Sequence, residues 1–307
     1  MELLYLFEKI RIPVLNEFML LITKLGEETA FLVIGLVVFW CVNKRLGYYV
    51  MSVGFAGNIA SQAMKIACRI PRPWVKNPNF TILEQAREAA DGYSFPSGHT
   101  QSAVGTLGAI VRDTKKGWLR WILIIAAALV GISRMYIGVH TPEDVLVGAM
   151  ISVVCIFALY PFMMGKRDRT YAVLIGLLFT STVYLVVLEL TQFPADTDTH
   201  NLESAIKNSY TFLGCTLGLV IGYPIEKRFV KFEEKAPWQG QILKVILGLG
   251  VVLAVKEGLR SPLDALFAGH LAARAVRYFL IVIVAEVVWP LTFRFFARFG
   301  SHGKGKT

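Results

Sequence analysis

The chain is short of charge. Only 18% of its 307 residues are Asp, Glu, Lys or Arg, against about a quarter in an ordinary soluble domain. Cysteine is scarce as well. Cys41, Cys68, Cys155 and Cys215 show neither a zinc spacing nor a disulfide framework, and they read as small apolar packing residues. No internal repeat or low-complexity tract is present, and no polar stretch is long enough to fold as a soluble domain of its own. The first 25 residues do not read as a cleavable signal: Glu2, Glu8, Lys9 and Arg11 interrupt them, and no small-residue cleavage motif precedes Gly26. An amphipathic helix lying in a membrane interface is the better expectation for that segment.

Apolar residues are what the chain has in excess. They make up 55% of it, and the mean hydropathy is +0.54. They gather in long blocks at 26–42, 46–67, 97–111, 119–139, 143–163, 171–190, 207–225, 241–258 and 272–297. Most approach the roughly 20 residues that a helix needs to cross a bilayer. The expected fold is therefore all-α: a polytopic membrane helical bundle of about nine transmembrane helices plus an N-terminal interfacial helix. Three regions are expected: 1–25 as the interfacial helix, 26–165 as a core, and 166–307 as a C-terminal helical extension.

Charge suggests an orientation. If the nine helices alternate, segments 43–47, 112–120, 166–170, 226–235 and 294–307 share one face and hold 2, 4, 3, 4 and 4 Lys/Arg. Segment 191–206 on the opposite face holds none and carries Asp196, Asp198 and Glu203. The positive-inside rule then puts the first set in the cytoplasm. Lys24, Lys256, Arg260, Arg274 and Arg277 fall on the other side and weigh against that assignment. The net charge of +10 fits anionic lipid headgroups, and no continuous basic stripe suited to nucleic acid is visible.

Three short stretches carry the chemistry: K-x6-R-P from Lys65 to Pro73, P-S-G-H from Pro96 to His99, and S-R-x5-H-x3-D from Ser133 to Asp144. Ionisable residues at membrane-helix ends are functional candidates, because a charge there without a partner is costly. Pro71 and Pro73 end the helix that holds Lys65 and leave Arg72 on irregular chain. An ammonium and a guanidinium fork together suit a phosphate, although both would also serve as snorkelling interface cations. Ser97 and Gly98 open the next helix with a capping hydroxyl and an accessible backbone, and His99 lies in its first turn. An imidazole there can hand a proton to a leaving oxygen; the plainer reading is an ordinary capped helix. In the third stretch, Asp144 is either the orienter of His140 or the far end of a capping box begun by Thr141. Pro71 to Pro96 joins the first two stretches as a long polar insertion with Trp74, Phe80, Tyr93 and Phe95, and it reads as a lid or rim.

In this order and spacing the three stretches resemble the type 2 phosphatidic acid phosphatase superfamily of membrane lipid phosphatases, whose pocket is shared with vanadium haloperoxidases. The resemblance implies that His140 attacks phosphorus and forms a phosphohistidine, with Asp144 supporting it. It implies that His99 protonates the departing oxygen and later helps water cleave the intermediate. Lys65, Arg72, Ser97, Gly98 and Arg134 would bind the non-bridging oxygens, and neither a metal nor another cofactor is required. The long C-terminal extension and Tyr93-Ser94-Phe95-Pro96 are similar to the sphingosine-phosphate and glucose-6-phosphatase branches.

The expected function is hydrolysis of a lipid phosphate or diphosphate at the extracytoplasmic or lumenal face, with a membrane lipid and the bilayer as partners. No nucleic acid is expected, and a homo-oligomer remains open. The alternatives are a lipid phosphotransferase using the same pocket, a lumenal sugar-phosphate phosphatase, and a non-enzymatic anion transporter. The last fits poorly with cations gathered at one face, since transporter sites sit near the midplane. Asp196, Asp198, His200 and Glu203 read as a solvated acidic loop. Gly214, Gly218 and Gly222 form a close-packing helix face, within the chain or between chains.

Overall fold

The computed structural model describes residues 1–87, 90, 92–195 and 197–298, and among these every regular element is helical. In chain order the α-helices are α1 (Glu2–Lys9), α2 (Pro13–Thr23), α3 (Glu28–Val37), α4 (Lys44–Cys68), α5 (Pro73–Lys76), α6 (Gly98–Asp113) and α7 (Gly117–Tyr136). They continue as α8 (Pro142–Met163), α9 (Thr170–Leu190), α10 (Thr199–Ile225), α11 (Trp238–Gly258), α12 (Arg260–Leu266), α13 (Ala272–Ile283) and α14 (Phe293–Arg298).

Among the described residues, four helical stretches are long and apolar enough to cross a membrane: α7, α8, α9 and the run Ala272–Arg298 that begins with α13. A fifth is added if Pro13–Gly26 and Glu28–Val42, bent by 57°, count as one span. At 1.5 Å per residue the 20 residues of α7 reach about 30 Å, the thickness of the hydrocarbon layer. The flanks of these helices bear the solvent-incompatible residues. Trp118, Trp121 and Ile125 on α7, Val154 and Phe157 on α8, and Phe179 on α9 all lie exposed. Apolar surface on this scale is stable against lipid, not water. The protein is a membrane protein. α4 and α10 have the length to span, but glycine, serine and charged residues dilute them.

The chain divides into two compact units, interleaved along the sequence. The first comprises Met1–Leu32, Tyr49–Pro161 and Leu190–Ile206. Here α6 lies along α7, and α2 also packs on α7. Glycines permit the closest approaches. A Cβ on Gly26 would stand 2.6 Å from the His99 carbonyl oxygen, and one on Gly148 would stand 2.5 Å from that of Ser97. Residues 1–25 fold as α1, α2 and the start of a 3-10 turn. Leu4 is fully buried, Tyr5 meets Phe80 edge-on, and Arg11 donates to the Tyr136 carbonyl and to Thr81. The N-terminal helices thus pack on the end of α7 and on the 71–96 loop.

The second unit comprises Val33–Tyr48, Phe162–Glu189 and Lys207–Thr307. Gly214, Gly218 and Gly222 face α13 and its extension. Added Cβ atoms would stand 2.2 Å from the Ala275 carbonyl, 2.7 Å from Val282 and 2.3 Å from the Glu286 carboxylate. The small-residue face therefore packs within the chain. Lys44 and Arg45 are tied down by oxygens of this unit. Lys44 meets Glu226 at 2.8 Å, and Arg45 donates to the carbonyls of Met163 and Gly165. Glu286 is buried and accepts from the Tyr48 hydroxyl.

Candidate active site

Local rules place the functional side chains. Helix α4 carries Lys65 in its last turn and stops at Cys68, where Arg69 turns into the left-handed region at φ 50°. Two prolines then keep the chain irregular, and Arg72 becomes the residue that precedes α5. Ser97 caps α6, its hydroxyl accepting from the Thr100 amide at 3.4 Å, so Gly98 and His99 occupy the first turn. At the start of α8, Thr141 and Asp144 form a reciprocal cap: Thr141 N–H donates to Asp144 Oδ2 at 2.8 Å, and Asp144 N–H donates to Thr141 Oγ1 at 3.4 Å.

That capping carboxylate also faces the imidazole. His140 Nδ1 lies 3.3 Å from Asp144 Oδ2, and Arg72 NH1 lies 2.9 Å from His140 Nε2. A guanidinium can only donate, so Nε2 is the acceptor and the ring proton sits on Nδ1, directed at Asp144. Two independent contacts therefore select one tautomer. The ring is buried, 1% exposed. Burial holds its pKa well below the ordinary histidine range, and the Arg72, Arg134 and Lys65 charges and His99 push it the same way. His140 is accordingly neutral, with a lone pair on Nε2.

The cations are held by main-chain oxygens of the 71–96 loop and its surroundings. Lys65 donates to the Tyr93 carbonyl. Arg72 donates to the Gly92 and Val139 carbonyls, each at 3.1 Å. Arg134 reaches back to Thr23 Oγ1 at 2.9 Å, yet its Nε and NH2 have no hydrogen-bond partner among the described residues although the side chain is only 1% exposed. His99 Nε2 is likewise buried and unpartnered. The charges of Arg134, Arg72 and Lys65 act on His99 as they do on His140, so these five groups share one electrostatic neighbourhood. Buried donors without acceptors are rare, and a guanidinium left so is expensive. One anion with several oxygens would satisfy them together.

Every residue predicted for the site lies in the first unit. Lys65, Arg72, Arg134, His99 and His140 converge electrostatically, Asp144 joins through His140, and Ser97 joins through its amide, which donates to the Asp144 carbonyl at 2.9 Å. Gly98 leaves open space where a Cβ would stand. Sequence reasoning missed two side chains. Ser94 Oγ donates to Asp144 Oδ2 at 2.5 Å, and Thr23 anchors Arg134. Ser94 had a faint signal, standing just ahead of the P-S-G-H stretch; Thr23 had none.

Comparison with known proteins follows the same lines. Residues 29–168 match the model of the PAP2 superfamily, and residues 210–301 match the transmembrane extension of PAP2 superfamily phosphatases. The chain belongs to the PAP2 superfamily. An undecaprenyl-diphosphatase of Sulfolobus acidocaldarius is 30% identical over 153 residues, which is 49% of this chain and 71% of that protein. Undecaprenyl-diphosphatase BcrC of Bacillus subtilis is 31% identical over 115 residues, 37% of this chain and 56% of the relative. Sphingosine-1-phosphate phosphatase 1 of Mus musculus is 26% identical over 266 residues, 78% of this chain and 58% of the relative. The chain thus covers little more than half the length of two of these relatives. No solved structure matches the chain. The named relatives are phosphatases, which agrees with the family expected from the three stretches. The PAP2 match contains those stretches whole, and the second match supplies a place in the family for the C-terminal helices.

Proposed function

We propose that the chain is an integral-membrane phosphatase that removes a terminal phosphate from a lipid phosphate or diphosphate. The observation that carries this reading is the set of orphaned donors, Arg134 Nε and NH2 with His99 Nε2, beside a neutral His140. The phosphate oxygens would accept from Arg134, Lys65, Arg72 and the first amides of α6, where the helix dipole also favours an anion. His140 Nε2 attacks phosphorus; an N–P bond forms as the P–O bond to the leaving group breaks. His99, in the imidazolium form that the negative charge of the bound phosphate favours, gives the leaving oxygen its proton. Water then attacks phosphorus, the His140 N–P bond breaks, and His99 takes the proton from the water. Asp144 holds the Nδ1 proton throughout and stabilises the charge that develops on the ring. The scheme routes no step through a metal.

We place the site on the non-cytoplasmic face, supported by the cation-rich segments 43–47, 112–120 and 226–235 that would lie opposite. The nine-span arrangement with a core at 26–165 and an extension at 166–307 belongs to the same proposal. The test is phosphate release by the purified full-length chain from polyprenyl diphosphate, phosphatidate, phosphatidylglycerol phosphate, sphingoid-base phosphate and glucose phosphate. Release from at least one lipid, abolished in His140→Ala and preserved in excess chelator, is expected. A strong, reversible loss with chelator, or turnover by His140→Ala, would remove the mechanism. Phosphate appearing on an added acceptor in place of water would move the assignment to a phosphotransferase.

A further inference from the structure

A cavity of about 740 Å³ lies within the first unit, and Arg72 is one of its lining residues. Tyr93, Arg69, Trp74, Arg87 and His200 line it as well. Arg72 is shared. It lines this cavity and its guanidinium also lies 2.9 Å from His140 Nε2, so one residue borders both the cavity and the imidazole.

The wall is built for an anion. Among the described lining residues there are three guanidiniums and one carboxylate, Asp198. That carboxylate is engaged at the start of α10, accepting from the Asn201 amide at 2.8 Å, while the Asp198 amide donates to the Tyr93 hydroxyl at 3.3 Å. Trp74 holds two of the arginines, with the Arg72 and Arg87 guanidinium carbons each 5.8 Å from its ring centroid. The partner of Arg87 is Glu84, and both are largely exposed, so that pair is cheap to rearrange. Arg69 reaches Thr197 Oγ1 at 3.1 Å. Its backbone is unusual: φ is 50°, at the helix-terminal position where glycine is the favoured residue. A bulky residue kept in that conformation stores strain, and such strain concentrates at functional sites.

We propose that this cavity is a second phosphate subsite, lined by Arg69 and Arg87, and that the preferred substrate carries two linked phosphates with the terminal one on His140. The inference rests on the hydrolase reading above. The leaving group would then be a lipid monophosphate, its phosphate held by the outer arginines at the moment the bridging oxygen departs.

The experiment compares farnesyl diphosphate with farnesyl monophosphate, two substrates with one tail, using the purified full-length chain. Wild type is expected to favour the diphosphate in kcat/KM. Arg69→Gly removes the guanidinium at a backbone conformation that suits glycine, and Arg87→Gln removes the exposed Glu84 pair and the Trp74 contact; thermal unfolding of both variants separates a subsite loss from a folding loss. Each is expected to lower the diphosphate-to-monophosphate ratio about tenfold, the size of one charge-assisted hydrogen bond, with monophosphate turnover nearly unchanged. Equal handling of both substrates by wild type, or an unchanged ratio in both variants, overturns the subsite while leaving the hydrolase intact. No phosphate release from either substrate, or from the wider lipid panel, overturns the hydrolase reading and the subsite with it.

Discussion

Asp144→Asn tests one carboxylate oxygen that performs two jobs. Oδ2 accepts from the Thr141 amide and the Ser94 hydroxyl and also faces the His140 ring, so an asparagine oxygen in that place keeps the start of α8 and loses the negative charge beside the imidazole. If the amide turns its NH2 there instead, Nδ1 must accept and the ring proton moves to Nε2. That proton would then face the Arg72 NH1 donor, now 2.9 Å away. The carboxylate contact alone is worth about 1.5–3 kcal/mol, or about 10- to 200-fold in rate. In a related histidine–aspartate arrangement, the wrong tautomer costs about 10⁴ in kcat. We expect kcat to fall by about 10²- to 10⁴-fold, with little change in thermal stability. Asp144→Ala should lose as much activity and also stability, because the Ser94 hydroxyl and the Thr141 amide are left without their acceptor. Each such orphan costs about 1–3 kcal/mol. Phosphate release and thermal unfolding, measured on the same detergent-solubilised samples, make the comparison. If Asp144→Asn turns over like wild type at unchanged stability, the negative charge at Asp144 plays no part in activating His140.

Two further outcomes follow from the same geometry. His99→Ala should slow alkyl phosphates by about 10²- to 10⁴-fold and activated aryl phosphates far less, since a good leaving group needs no proton; equal losses on both would remove His99 as the acid. The acid limb of kcat/KM should fall below the ordinary histidine value of about 6.5, because the lowered His140 pKa keeps Nε2 unprotonated there. The sign for stability is opposite in consequence. Below about pH 6.5 the unfolded chain binds a proton at this residue that the native state resists, so stability is intact above that value and declines as pH falls through the depressed one. An acid limb at or above 6.5 would show that His140 is not held neutral by its surroundings.

Much of the site was legible in the sequence because its signals are short-range. Pro71 and Pro73 keep the chain irregular between α4 and α5, Ser97 caps the helix that follows it, and Thr141 with Asp144 spells a box over four residues. The choice between cap and orienter for Asp144 was open at that level, and its oxygen takes part in both contacts. Other features left no such trace. Thr23 meets Arg134 across 111 positions, and Arg11 reaches the Tyr136 carbonyl across 125. The acidic loop at 191–206 looked like solvated connector, yet Asp198 and His200 line the cavity; Asp196 lies outside the described residues. The two units draw alternately on segments scattered through the chain, so no boundary in composition marks them.

Composition and local spacing therefore sufficed for the membrane character and the helical class, because each depends on side-chain chemistry acting over a turn or two. The fold alone decided which oxygens hold the cations of the site. Every peptide carbonyl is the same acceptor, and only long-range packing brings those of Gly92, Tyr93 and Val139 to Arg72 and Lys65 while leaving two nitrogens of Arg134 without a partner among the described residues.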